Sequence, residues 1–297
     1  MWIILPIGHD QPVYDRPWLT FGLILACSGI WLASFVFELR ANADLMSAAA
    51  DIDRVHQAYP GARIRFTVDG LPSHLESQIA PLFDADPNRP PTAGDEELGD
   101  AMIALVNGMN RHPVLRFGYR PGRPTVGSAI AYMFMHGGLF HLLGNMLFLF
   151  VAGGVLECFW RRWAYGLLYL ASGFAGLAAH HLSAPDSLAP LVGASGAVAG
   201  LIGAYIVSYP KSRIRLGYFF LILFKPVYGS WYVRAWIVIP LWAGMELASA
   251  LLMSGDGVAY WAHVGGFGCG LVVGIVSRLM GWVAVDDGRQ GIGLPDP

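Results

Sequence analysis

The sequence predicts an all-α polytopic membrane protein, a bundle of six transmembrane helices with a small extracytoplasmic insertion between helices 1 and 2. Three observations carry this prediction. Only 13% of the 297 residues are charged and 55% are hydrophobic, and the mean hydropathy of +0.49 is too high for a soluble chain of this length. Six windows reach the roughly 20 mostly apolar residues that a helix needs to cross the hydrocarbon core. Lysine and arginine are distributed unevenly between the short loops that join them.

The first window is Trp18 to Glu38, and the amphipathic start before it lacks the basic region and cleavage site of a signal peptide. The second is Leu139 to Phe159, the third Ala164 to Leu182 and the fourth Val192 to Tyr209. The fifth is Ala235 to Met253, and the sixth Val258 to Trp282. The apolar run Leu216 to Phe224 is too short to cross and reads as an interfacial or re-entrant segment.

Arg161 and Arg162 lie between spans two and three, and Lys211, Arg213, Arg215, Lys225 and Arg234 lie between four and five. The loops Ser183 to Leu191 and Ser254 to Gly257 have no lysine or arginine, whereas the tail carries Arg278 and Arg289. Both termini are therefore expected in the cytoplasm, with spans two, four and six running from outside to inside. The expected location is multi-pass in a bacterial inner membrane.

Residues 40–127 hold nine of the 19 basic residues and the proline-rich stretch DADPNRPPTAGDEE, and are long enough to be exported despite their arginines. Helices are expected at Ala43 to Ala58, Ser73 to Phe83 and Asp95 to Asn110, with a strand at Ala62 to Val68 and a loop at Asp84 to Asp95. The most economical role for this insertion is a structural cap. The resulting organisation is 1–39 for the N-terminus and first span, 40–127 for the insertion, 128–282 for spans two to six, and 283–297 for a cytoplasmic tail.

Cys27, Cys158 and Cys269 all fall in or at the end of spans and imply no disulfide framework. No phosphate loop, zinc spacing or basic aromatic patch for nucleic acid is present. Function is sought in the polar residues inside the spans, which are costly in hydrocarbon. His141, Asn145, Ser195 and His263 stand out, because each lies near the start of a span that begins on the outer face.

On span four, Gly196, Gly200 and Gly203 form one helical face, and on span six Gly266, Gly270 and Gly274 repeat every four residues. Small-residue faces allow close helix approach in lipid, and joining these two brings Ser195 to His263. The plainer alternative is that the glycines only pack and the serine only starts a helix. A serine beside a neutral imidazole is a minimal activated nucleophile. No carboxylate is evident to complete a triad. Glu157 lies at the inner end of span two, Asp256 in an outer loop, and Glu246, the only acid at depth, reads by default as a structural hydrogen-bonding group, with a catalytic role as the lesser alternative. A dyad is expected.

Donors for an oxyanion are the backbone N–H of Ser195 at a helix start, with Gly193 permitting close backbone approach, and the side chains of Asn145 and His141. An interhelical hydrogen bond is the competing role for that pair. His136, His180 and His181 are expected to be solvated at the outer mouth.

HGGLFHLLGNMLFLFVAGGVLE (136–157), GASGAVAGLIGA (193–204) and AHVGGFGCG (262–270) resemble the signature segments of rhomboid intramembrane serine proteases. The likeness extends over about residues 115–282. It implies a six-helix rhomboid-like fold around a cavity open to the outer face, with Ser195 as nucleophile, His263 as general base, and His141 and Asn145 completing the oxyanion hole. It also implies transmembrane protein substrates in the lipid bilayer, cut near the outer face, and a gate-like fifth span with a cap at Met253 to Val258. Two positions depart from the pattern. Ala199 stands where some members carry an aromatic ring against the histidine, and PTVGSAIAYMFMH (124–136) replaces a Trp-Arg pair.

No cofactor is implied, no nucleic-acid partner is expected, and water is the second substrate. Three rivals stay open: a catalytically inactive rhomboid-like membrane-protein binding factor, a redox or metal protein using the histidines, and a transporter. The second lacks a recognisable ligand spacing, and the third lacks the paired interrupted helices of inverted repeats.

Overall fold

The computed structural model describes residues 2–11, 13, 15–64, 89–222, 225–253 and 257–282. Its contacts divide the chain into two compact units. One comprises residues 1–28, 136–183 and 193–297, and the other residues 29–135 and 184–192.

The first unit is built on a helical core. Helices α5 (Leu139–Phe148) and α6 (Gly154–Phe159) are joined by a π-helical turn at Leu149–Gly153. They are followed by α7 (Arg162–Ser183), α8 (Ser195–Ser208), α9 (Ala235–Leu252) and α10 (Tyr260–Leu279). Helix α8 is buried nearly all round, packed most extensively against α10 and next against α7. The packing is backbone to backbone. A Cβ at Gly266 would strike the Gly196 carbonyl and one at Gly270 the Gly200 carbonyl, so only glycine permits this approach.

Helix α1 (Trp18–Ala58) has 41 residues, so the first predicted span and the helix expected at Ala43 to Ala58 are one element. Its start is fixed within the first unit by Glu157, whose carboxylate accepts from the Leu19 and Thr20 N–H groups at 2.8 and 2.7 Å. A carboxylate at a helix N-terminus meets orphan donors and the positive end of the dipole.

The all-helical expectation needs correction. Strands β1 (Trp2–His9), β2 (Arg213–Ile222) and β3 (Lys225–Arg234) form an antiparallel sheet in the order β1-β2-β3. Residues 216–222 of the run read as a re-entrant segment belong to the second of these strands. Its aromatic and β-branched residues suit a strand, and its backbone groups are satisfied by pairing with residues 2–9 on one side and 225–234 on the other.

Among the described residues, four helices are long and apolar enough to cross a membrane: Trp18–Ala58, Leu139–Phe159, Ala235–Leu252 and Tyr260–Leu279. Helix α8, at 14 residues, rises only about 21 Å. Its glycine-rich face is matched by a surround of protein.

The second unit contains α2 (Ala93–Arg111), α3 (Pro113–Phe117) and α4 (Val126–Ala131) with the later part of α1. Val55, Ala62, Ile64, Leu98 and Met102 form its core. Helix α2 starts with a capping box, in which Thr92 and Asp95 each accept from the other's N–H. The loop at 184–192 is tied by paired Tyr119 and Leu191 backbone bonds of 3.0 and 2.7 Å. The expected helix at Ser73 to Phe83, residues 65–68 of the expected strand and residues 84–88 of the proline-rich loop lie outside the described residues, and the last residues of that loop begin α2.

Candidate active site

Ser195 is the first residue of α8, His141 and Asn145 are the third and seventh of α5, and His263 is the fourth of α10. All belong to the first unit. The Ser195 hydroxyl oxygen lies 2.9 Å from His263 Nε2, with both residues partly exposed. The glycine contact between α8 and α10 begins one residue after the serine and three after the histidine. The two side chains are thus set at the end of a rigid interface.

Gly193 has a φ of +123°, a conformation that L side chains rarely adopt. A Cβ there would also lie 2.8 Å from His141 Nε2 and 3.6 Å from Asn145 Nδ2. The glycine therefore lets the chain turn into α8 while His141 and Asn145 close over it. Asn145 is buried and donates one N–H to the His141 carbonyl at 3.1 Å. The amide groups of the first turn of α8 lack intrahelical acceptors, so positive backbone dipoles converge beside the Ser195 hydroxyl.

Two expectations change here. His136 is fully buried and sets its ring 5.3 Å from that of His141, so it supports the site from within and is not a solvated mouth residue. His180 and His181 are half-buried. The dyad expectation also omits a contact: Glu246, on α9, brings Oε2 to 2.6 Å from His263 Nδ1. The sequence signal for this was a lone acid in an apolar span, 17 residues away from its partner. Ala199 is buried and offers no ring to the histidine, which is instead held at Nδ1 by the carboxylate and faced edge-on by Tyr260 at 6.5 Å.

Among the described residues, no group of three His, Cys, Asp or Glu side chains is placed to hold a metal ion.

The chain is 30% identical over 151 residues to Rhomboid-related protein 2 of Mus musculus, an overlap of 49% of this chain and 46% of that protein. It is 34% identical over 152 residues to RHOMBOID-like protein 4 of Arabidopsis thaliana, covering 50% and 34% of the two chains. With Rhomboid-type serine protease 2 of Emericella nidulans it shares 26% identity over 217 residues, 72% of this chain and 39% of that one. The chain thus spans less than half the length of each of these relatives. The Rhomboid domain family model matches residues 124–279, more than half the chain and the whole segment from α4 to α10, so the protein belongs to the rhomboid family.

Proposed function

We propose that this rhomboid-family protein is an intramembrane serine endopeptidase in which Ser195 is the nucleophile and His263 its general base. The observation that carries the reading is the 2.9 Å approach of the hydroxyl oxygen to Nε2, within the reach that proton transfer requires. As Ser195 Oγ bonds to the scissile carbonyl carbon, its proton passes to Nε2 and the carbonyl π pair moves to oxygen. The Ser195 N–H, the Asn145 amide and the His141 ring donate to that oxyanion, with Gly193 giving the backbone room to approach it. Collapse breaks the C–N bond, and the Nε2 proton leaves with the amine. Water then attacks the acyl-enzyme, losing its proton to the same nitrogen, and collapse breaks the C–Oγ bond as that proton passes to the serine oxygen. No cofactor enters this sequence.

The substrates of this reading are transmembrane proteins cut near the outer face, a class fitted to a nucleophile held among membrane-spanning helices. Residues 128–282 form the catalytic core, residues 40–127 an extracytoplasmic insertion, and both termini are cytoplasmic.

The test is labelling of detergent-solubilised protein with a fluorescent fluorophosphonate. Wild type should label, and Ser195→Ala and His263→Ala should not. Folded wild type that fails to label overturns the reading.

A further inference from the structure

His263 is gripped at both ring nitrogens. Nε2 faces the Ser195 hydroxyl and Nδ1 faces Glu246, and the histidine and glutamate side chains are only 16% and 17% exposed. Glu246 is the sole charged residue of α9, an 18-residue helix otherwise built from apolar and small residues. A carboxylate in such a helix is expensive to keep, and the 2.6 Å contact shows where it is directed.

We propose that Glu246 is a positioning residue that makes the site a Ser195–His263–Glu246 relay. The inference rests on the serine-protease reading above and adds a third member to it. A contact of 2.6 Å between Nδ1 and a carboxyl oxygen needs one proton between the two atoms. With that proton on Nδ1, Nε2 presents its lone pair to the serine. The other tautomer carries its proton on Nε2 and cannot accept one from the hydroxyl. When Nε2 takes the serine proton, the imidazolium stands against a negative charge in place of hydrocarbon.

The other titratable groups facing His263 do not supply this charge. His141, from α5, is near enough for its charge to interact with that of His263, but it is neutral or positive. Tyr260, on the same helix, presents a ring edge. Among the described residues, the carboxyl group hydrogen-bonded to the histidine is that of Glu246. The methyl group of Ala199 offers the ring no aromatic face, and the carboxyl group at Nδ1 constrains its rotation.

The experiment compares wild type, Glu246→Gln and Glu246→Asp, as full-length protein in nanodiscs, on a single-span reporter from pH 5 to 9, with thermal midpoints measured alongside. Glu246→Gln is expected to lower kcat at least about 100-fold, with KM within about threefold. Glu246→Asp should recover at least about tenfold of the lost kcat. A folded Glu246→Gln with kcat within about threefold of wild type overturns the relay. So does equal loss in both variants together with a lowered thermal midpoint, which marks a structural bond. A wild type that cleaves no faster than Ser195→Ala overturns the protease reading itself and the relay with it.

Discussion

A single methyl group at Gly193 would meet the His141 ring and force a backbone of positive φ on a residue that disfavours it. The same crowding places Asn145 Nδ2 beside the turn into Ser195. One Asn145 N–H is committed to the His141 carbonyl, and the proposed mechanism assigns the other to the oxyanion. Asn145→Ala should therefore reduce kcat on the order of 100-fold with little change in KM, measured as steady-state cleavage of a reporter. A variant whose kcat is unchanged would make Asn145 a tie within its own helix. At this scale the sequence was legible where spacing is local: Gly196 follows Ser195, Gly266 lies three residues after His263, and the meeting of these two glycines is read directly. Glu246 was not assigned to the site, because its pairing depends on how α9 lies against α10, which no local pattern encodes.

The elements show why the serine and the histidine meet at a fixed distance. Helices α8 and α10 touch through Gly196 and Gly266, and again through Gly200 and Gly270, with no side chain between them. Such an interface has almost no slack. Gly270→Ala would drive a Cβ into the Gly200 carbonyl, and separating the helices should cost about 1–3 kcal/mol. Because Ser195 and His263 begin these same helices, the separation should also slow fluorophosphonate labelling. Gly268 faces open space, so Gly268→Ala is the matched control and should change neither the thermal midpoint nor the labelling rate. Equal behaviour of the two variants would show that the glycine face does not set the site. The helices were legible because a period of four small residues in an apolar run has one physical use. The sheet was not, because β2 takes its partners from residues 2–9 and 225–234, and a short apolar run alone does not distinguish a strand from a membrane-dipping segment.

On the scale of the whole molecule, the two units follow different rules. The apolar helices of the first present large hydrophobic side chains outward, among them Leu25, Leu241, Leu252 and Leu279, a surface suited to lipid and unfavourable in water. Among the described residues, the second unit has a small apolar cluster around Leu98 and Met102 and a buried carboxylate, Asp95. Burial alone would raise the Asp95 carboxyl, but the Arg89 guanidinium at 2.9 Å and the N–H groups of Arg63 and Thr92 at 2.8 Å hold it well below the usual carboxylate range. Asp95 thereby ties the start of α2 to the chain that follows α1. Its folded-state pKa lies below the unfolded value of about 4, so its contribution is complete above that value and is lost as pH falls towards the folded one. Asp95→Asn should destabilise this unit by about 1–3 kcal/mol at pH 7. The gap between variant and wild type should narrow steadily below about pH 4, as the native carboxylate is protonated too. Hydrogen exchange of the α2 amides, compared between the two proteins at each pH, reads this directly. A gap of constant size from pH 7 to pH 3 would mean that the side chain acts through its shape and hydrogen bonds, and that its charge contributes nothing.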